Sequence, residues 1–233
     1  MNSPREFRQP RFVPPTGATE ILLVRHGESS PLVEGDTFPL VGGHSDPPLA
    51  PDGHIQAVQV ADRLIATGER IAAIYVTTLT RTHQTAAPLA ERLGLEPIVE
   101  ADLREVFLGD WEGGEFRHRV ADEDPIAVKM FETGRWDVIP NGEPSAEFEG
   151  RVRAGIERIA AAHPDQLVVA VVHGGVIGQV MNIAADTTGF RFGGADNASI
   201  THIVVEADRW RLRCFNDTSH LSPRFSTAPE PLT

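Results

Sequence analysis

Only one cysteine, Cys214, occurs in the 233 residues. A lone thiol forms no disulfide within the chain and assembles no cysteine-based zinc site, although the chain is long enough to bury a real core. Long apolar runs are also missing. No stretch approaches the ~20 apolar residues of a membrane span, and the opening "MNSPREFRQPRFVPPTG" lacks the apolar segment of a signal peptide. The sequence therefore predicts a soluble, cytoplasmic protein with no membrane partner. Positive charge is scarce too: Lys and Arg number 21 against 33 Asp and Glu, a formal net charge of −12. Such a surface repels nucleic acid, and an anionic substrate must be held in a local positive pocket. Nine histidines are present, but no HExxH or closely spaced pair accompanies them, so neither metal nor cofactor is expected.

What is present alternates. Between a Pro- and Arg-rich arm over residues 1–18 and a Pro-rich tail over 222–233, a single domain is expected over 19–221. Glu20 to Val24 reads as a buried strand. Pro51 and Asp52 open a helix whose apolar stripe is Ile55, Val58, Ala61, Leu64 and Ile65, with Gly68 as its stop. Ile71 to Val76 is a second strand, and Thr80 to Leu93 a second helix that Pro88 should kink or split. Leu103 to Gly142 reads as an irregular excursion with one or two helices. A long helix follows from Pro144, with Phe148, Val152, Ile156 and Ile159 on its apolar stripe. Leu167 to Val172 is the most strand-like run, a helix from Val176 to Ala184 comes next, and "ASITHIVVE" with "WRLRCF" makes a hairpin turning at Ala207 to Arg209. This order predicts an α/β fold of three layers, α/β/α, on a mostly parallel sheet with an antiparallel edge. The hairpin edge, Ile200 to Phe215, offers a surface for a homodimer unless a tail covers it.

Two of the strands run into similar chemistry. Val24 leads into Arg25, His26 and Gly27, and Val172 into His173, Gly174 and Gly175. Ligands of open parallel sheets bind beyond the carboxyl ends of the strands, so both histidines can share one crevice. The strand ending at Val76 is followed by "TTLTRTHQTA", which puts Arg81 on the same edge. Two arginines and two histidines around one point suit phosphate oxygens, whose geometry the planar guanidinium matches.

These motifs resemble the histidine phosphatase superfamily, also called phosphoglycerate mutase-like. "LVRHGES", "GGHSDPPLAPDGHIQA", "TTLTRTHQTA", "LREVFLGDWEG", "NGEPSAEF", "VVHGGV", "NAS" and "NDTSHL" occur in the family's order over about Glu20 to Leu221. The resemblance implies the phosphoglycerate mutase-like fold and a nucleophilic His26 that becomes a phosphohistidine. It implies phosphate binding by Arg25, Arg81 and His173, and Glu105 as the general acid and base. A nucleophilic imidazole must be neutral at one nitrogen, which nearby Arg25 and Arg81 favour, while a backbone carbonyl accepts the other nitrogen's proton. Gly27 is expected to let the backbone approach the phosphate. Many members carry an Asn where this chain has Leu32, and Ser29, Ser30 or a backbone group would have to substitute. Asn197 and His220 are further candidates for substrate contact. The loop with Glu34, Asp36 and Asp46 would disfavour polyanions. Trp111, Phe107, Phe131, Trp136 and His220 line the pocket mouth or form a small core of the excursion. The reading is a metal-independent phosphomonoester hydrolase for a small phosphorylated substrate. Mutase-type phosphoryl transfer and a catalytically silent binding protein are the alternatives.

Overall fold

Short apolar runs with no polar face form the middle of the sheet. The computed structural model describes residues 6–207 and 209–222. Its strands are β1 (Thr19–Arg25), β2 (Leu40–Val41), β3 (His44–Ser45), β4 (Ile71–Val76), β5 (Ile98–Val99), β6 (Leu167–Val172), β7 (Ile200–Val205) and β8 (Trp210–Asp217). Its α-helices are α1 (Pro51–Ala66), α2 (Thr80–Leu93), α3 (Glu115–Ala121), α4 (Pro125–Thr133), α5 (Ser145–Ala162) and α6 (Gly174–Ala185). Six strands join in the order β5-β4-β6-β1-β7-β8. The first four are parallel to one another, and β7 and β8 form the antiparallel edge. A separate β2–β3 hairpin stands outside this sheet.

Side chains of β1 and β6 alternate between two cores, as the strand period requires. Ile21, Leu23, Val168 and Ala170 pack with Phe148, Val152, Ile156 and Ile159 of α5 and with Val176, Ile177, Val180 and Met181 of α6. Leu22, Val24, Val169 and Val171 face the opposite way, onto Val60, Ala61 and Leu64 of α1 and Ala86, Leu89 and Ala90 of α2. The result is the expected three-layer α/β/α fold, with β6 buried on both faces.

Two expectations change. On α1 the buried face is Gly53, Ala57, Val60, Ala61 and Leu64, whereas Ile55, Val58 and Ile65 are exposed. The small side of the helix turns inward because Gly53 lies against the backbone of Glu28 with no room for a side chain, and α2 packs alongside. Pro88 does not split α2, which runs unbroken from Thr80 to Leu93. Buried Ala86, Leu89 and Ala90 around the proline offset the one intrahelical bond it removes.

The connection leaving β1 travels towards β4, past β6, and the one leaving β6 travels towards β7, past β1. They diverge at the carboxyl ends of two adjacent strands, which is where an open α/β sheet leaves a crevice. At the other side of the sheet the Arg213 guanidinium of β8 sits 3.9 Å from the Phe12 ring centroid, so the arm packs on the antiparallel edge. Residues 1–5 of the arm and all but Ser222 of the expected tail lie outside the described residues. Among the described residues no helix is long and apolar enough to cross a membrane.

Candidate active site

His26 leaves the end of β1 buried, its backbone N–H donating to Val172 O at 3.0 Å and its carbonyl accepting from Asn197 Nδ2 at 2.9 Å. Its ring Nδ1 lies 2.8 Å from Gly27 O. A carbonyl only accepts, so Nδ1 carries the proton and Nε2 keeps its lone pair. Burial first, and then the charges of Arg81 and Arg25, hold this imidazole well below its ordinary pKa. It is neutral at physiological pH.

His173 follows β6 and caps α6. Its ring centroid is 5.2 Å from that of His26. It too is fully buried and held well below the ordinary imidazole pKa, by burial and then by Arg81. Its Nε2 meets Thr77 Oγ1 at 3.0 Å, while its buried Nδ1 has no partner among the described residues. Thr77 comes directly after β4, so three neighbouring strand ends supply the centre.

The arginines are anchored by carbonyls. Arg25 donates to Ala195 O at 2.6 Å and Arg81 to Ser45 O at 2.9 Å. Burial lowers the Arg81 pKa to about 10, against the pull of Glu105 and Asp46, and it remains a cation at neutral pH. Asp46 does not act as the solvent-facing repulsive acid expected of its loop. It is buried, accepts from Thr80 N at 2.8 Å and Thr80 Oγ1 at 2.6 Å, and lies 3.8 Å from Arg81. Ser45 is held in turn by Glu112, which accepts from both its N–H and its hydroxyl. The β2–β3 hairpin therefore positions Arg81.

Glu105 stands across the same space. Its Oε2 accepts from Gly175 N at 3.2 Å, in the first turn of α6, and its Oε1 from Val106 N at 3.0 Å. A Cβ on Gly175 would fall 2.5 Å from Oε1. A side chain there would push the carboxylate out of this position.

A cavity of about 800 Å³ opens over these groups, with Arg25, His26, Ser29, Arg81 and Glu105 on its lining. The other candidates lie elsewhere. Gly27 is not on the lining: its N–H donates to Thr85 Oγ1, and a Cβ there would meet Gly53 O at 2.5 Å. Its smallness serves the approach of α1, not of a phosphate. Ser30 is also off the lining, its hydroxyl on Leu49 O. Asn197 braces the His26 carbonyl, and His220 Nε2 is engaged by Ala198 O at 2.9 Å. Leu32 packs on Gly114, where a Cβ would meet it at 2.7 Å. Trp111, Phe131 and Trp136 do line the cavity; Trp111 and Trp136 also belong to the small core of the excursion, whereas Phe131 is exposed. Phe107 instead packs at a tilt against His44, with both rings on a separate cavity of about 350 Å³.

Sequence reasoning missed Arg117. From α3 it donates to Ser30 O at 2.7 Å and Ser29 Oγ at 2.9 Å, lies 4.6 Å from the Phe38 ring centroid, and lines the cavity. Its charge is a further influence lowering the His26 pKa. No local pattern marks it, because the excursion brings it to Ser29 across a separation of 88 residues. Among the described residues no group of three or more His, Cys, Asp or Glu is placed to hold a metal ion.

The chain is similar to proteins of one family. The model of the histidine phosphatase superfamily (branch 1) matches residues 21–218. Phosphoglycerate mutase-like protein 4 of Arabidopsis thaliana is 34% identical over 206 residues, covering 87% of this chain and 86% of that protein. A metal-independent phosphoserine phosphatase of the same plant is 30% identical over 226 residues, covering 95% of this chain and 92% of that protein. The native structure of a mycobacterial glucosyl-3-phosphoglycerate phosphatase superposes with a TM-score of 0.70 at 28% identity, over 84% of this chain and 98% of that one.

Proposed function

The chain belongs to the histidine phosphatase superfamily, and from that premise we propose that it is a metal-independent phosphomonoester hydrolase acting through a phosphohistidine on His26. The observation that carries the reading is the His26 ring: Nδ1–H is committed to Gly27 O, which leaves Nε2 as the nitrogen with a lone pair in a neutral imidazole, on a residue that lines the cavity together with Arg25 and Arg81.

The Nε2 lone pair attacks phosphorus while the bond from phosphorus to the leaving oxygen breaks. Arg25, Arg81 and the Nδ1 of His173 stabilise the charge that spreads over the transferring oxygens. A protonated Glu105 gives its proton to the departing alcohol. The resulting carboxylate then takes a proton from the water that attacks phosphorus, the bond from phosphorus to Nε2 breaks, and inorganic phosphate leaves. Action on a small phosphorylated substrate in the cytoplasm, with no nucleic-acid or membrane partner, belongs to the same reading.

The test is phosphate release from a panel of phosphomonoesters, with chelator, by the wild type and by His26→Ala. Release that survives chelator and disappears in the variant is expected. Release unchanged in His26→Ala would overturn the proposal, and release only in the presence of a bisphosphate primer would turn it towards mutase chemistry.

A further inference from the structure

The cavity is chemically lopsided. Arg25, Arg81 and Arg117 stand at the His26 end, and the remaining arginine on the lining, Arg135, is tied to Asp137 by bonds of 2.8 and 2.9 Å. The rest of the lining mixes polar side chains, Glu149, Gln179 and Thr188 among them, with a run of aromatic rings. Trp111, Phe116, Trp136, Phe190 and Phe131 form a continuous chain, with successive ring centroids 6.2, 6.1, 4.7 and 6.4 Å apart.

This wall is built in advance of any ligand. Ala127, Met130 and Ile139 back it from inside the excursion. The segment carrying Phe190 is fixed to the domain, since Asn182 Nδ2 donates to Gly189 O at 2.8 Å and Thr187 Oγ1 to Asn182 Oδ1 at 3.1 Å. Gly134 lies so close to it that a Cβ would fall 2.7 Å from Phe190 N. Preformed aromatic surface binds apolar groups without an ordering cost. A second phosphate or carboxylate placed beside Arg135 would have to compete with Asp137 for its guanidinium.

We infer, resting on the hydrolase reading, that the preferred substrate is the phosphate monoester of an alcohol bearing an aromatic or similarly broad apolar group, which lies against Trp136 and Phe190. Esters whose alcohol carries a second acid are disfavoured. The size of the cavity, about 800 Å³, leaves space for such a group beyond the phosphate.

The experiment compares kcat/KM for 2-phenylethyl phosphate, propyl phosphate and 3-phosphoglycerate. The first two are primary alkyl esters with leaving groups of similar basicity, so their ratio reads contact with the ring rather than chemistry. A ratio of about 10 to 100 is expected from burying one phenyl group, with 3-phosphoglycerate no better than the propyl ester. Phe190→Ala should reduce the ratio several-fold, mainly through KM. Phe131, 45% exposed, can be truncated without a large packing cost, and Phe131→Ala should move the ratio in the same direction. A wild-type ratio near one, a ratio unmoved by both variants, or a preference for 3-phosphoglycerate would overturn the inference while leaving the hydrolase intact. Release no faster than that of His26→Ala from every ester would overturn the hydrolase reading, and the inference with it.

Discussion

The floor and the wall of the cavity are made in different ways. The floor is built by side chains at or just after the ends of β1, β4 and β6, buried or half-buried and held by backbone or by another buried polar group: His26 on Gly27 O, Arg25 on Ala195 O and Arg81 on Ser45 O, with His173, on Thr77, packed beside His26. The wall consists of aromatic rings from the excursion around α3 and α4 and from the segment after α6, touching mostly one another. Charge placed within a rigid sheet suits chemistry that needs fixed donors. Apolar contact on inserted segments can change without disturbing that chemistry, so the two regions separate turnover from choice of substrate.

Breaking the floor should have the largest consequence. Arg81→Met is expected to lower kcat by roughly 10² to 10³, the usual cost of removing one donor to a developing charge, with the loss shared by phenolic and alkyl esters. Steady-state kinetics on both substrates checks this, and an effect confined to KM would argue that Arg81 only binds. Glu105→Gln should separate those substrates instead: alkyl esters slow by about 10² or more because the alkoxide needs a proton, and a phenolic ester slows much less. Equal slowing would remove Glu105 from the proton-transfer role.

A smaller effect tests the support beneath the floor. Thr77→Val leaves His173 Nε2 without its hydroxyl partner, and about a tenfold loss in kcat is expected, with recovery in Thr77→Ser. If serine restores nothing, the threonine matters through packing and not through its hydrogen bond. The last expected effect is on stability and leaves the chemistry untouched. Both histidines are neutral in the folded chain because burial and the arginines depress their pKa, while in the unfolded chain they take up protons near pH 6.5. The unfolded state therefore binds more protons as pH falls below that value, and stability declines by up to ~1.4 kcal/mol per pH unit for each histidine until the folded pKa is reached. Thermal unfolding between pH 7 and 5.5 reads the slope, which His173→Asn should make shallower.

Much of the floor was legible in the sequence because strand ends are local: an apolar, β-branched run followed by Arg25-His26 or His173 fixes both the element and the edge at which it stops. The α5 stripe was legible for the same reason, a regular period over several turns. The α1 stripe was not, because a backbone contact between Gly53 and Glu28 rotates the helix, and no pattern of side-chain hydropathy encodes that. Gly27 was read as room for a phosphate, yet it makes room for a helix. Asp46 was read as a loop charge, yet it is buried beside Thr80 and Arg81. Three rings of the aromatic wall, Trp111, Phe131 and Trp136, were named as candidates for the pocket mouth, but Arg117, Phe116 and Phe190 were beyond reach because their neighbours come from distant segments, as with Trp136 against Phe190.

The central claim is that His26 accepts the phosphoryl group. The most direct measurement is rapid acid-free quenching of the enzyme during turnover of a radiolabelled phosphomonoester, followed by peptide mapping. A base-stable, acid-labile label on the peptide containing His26, absent in His26→Ala, is expected. Turnover without any such label, or a label that is stable to acid and labile to base as on a carboxylate, would contradict it.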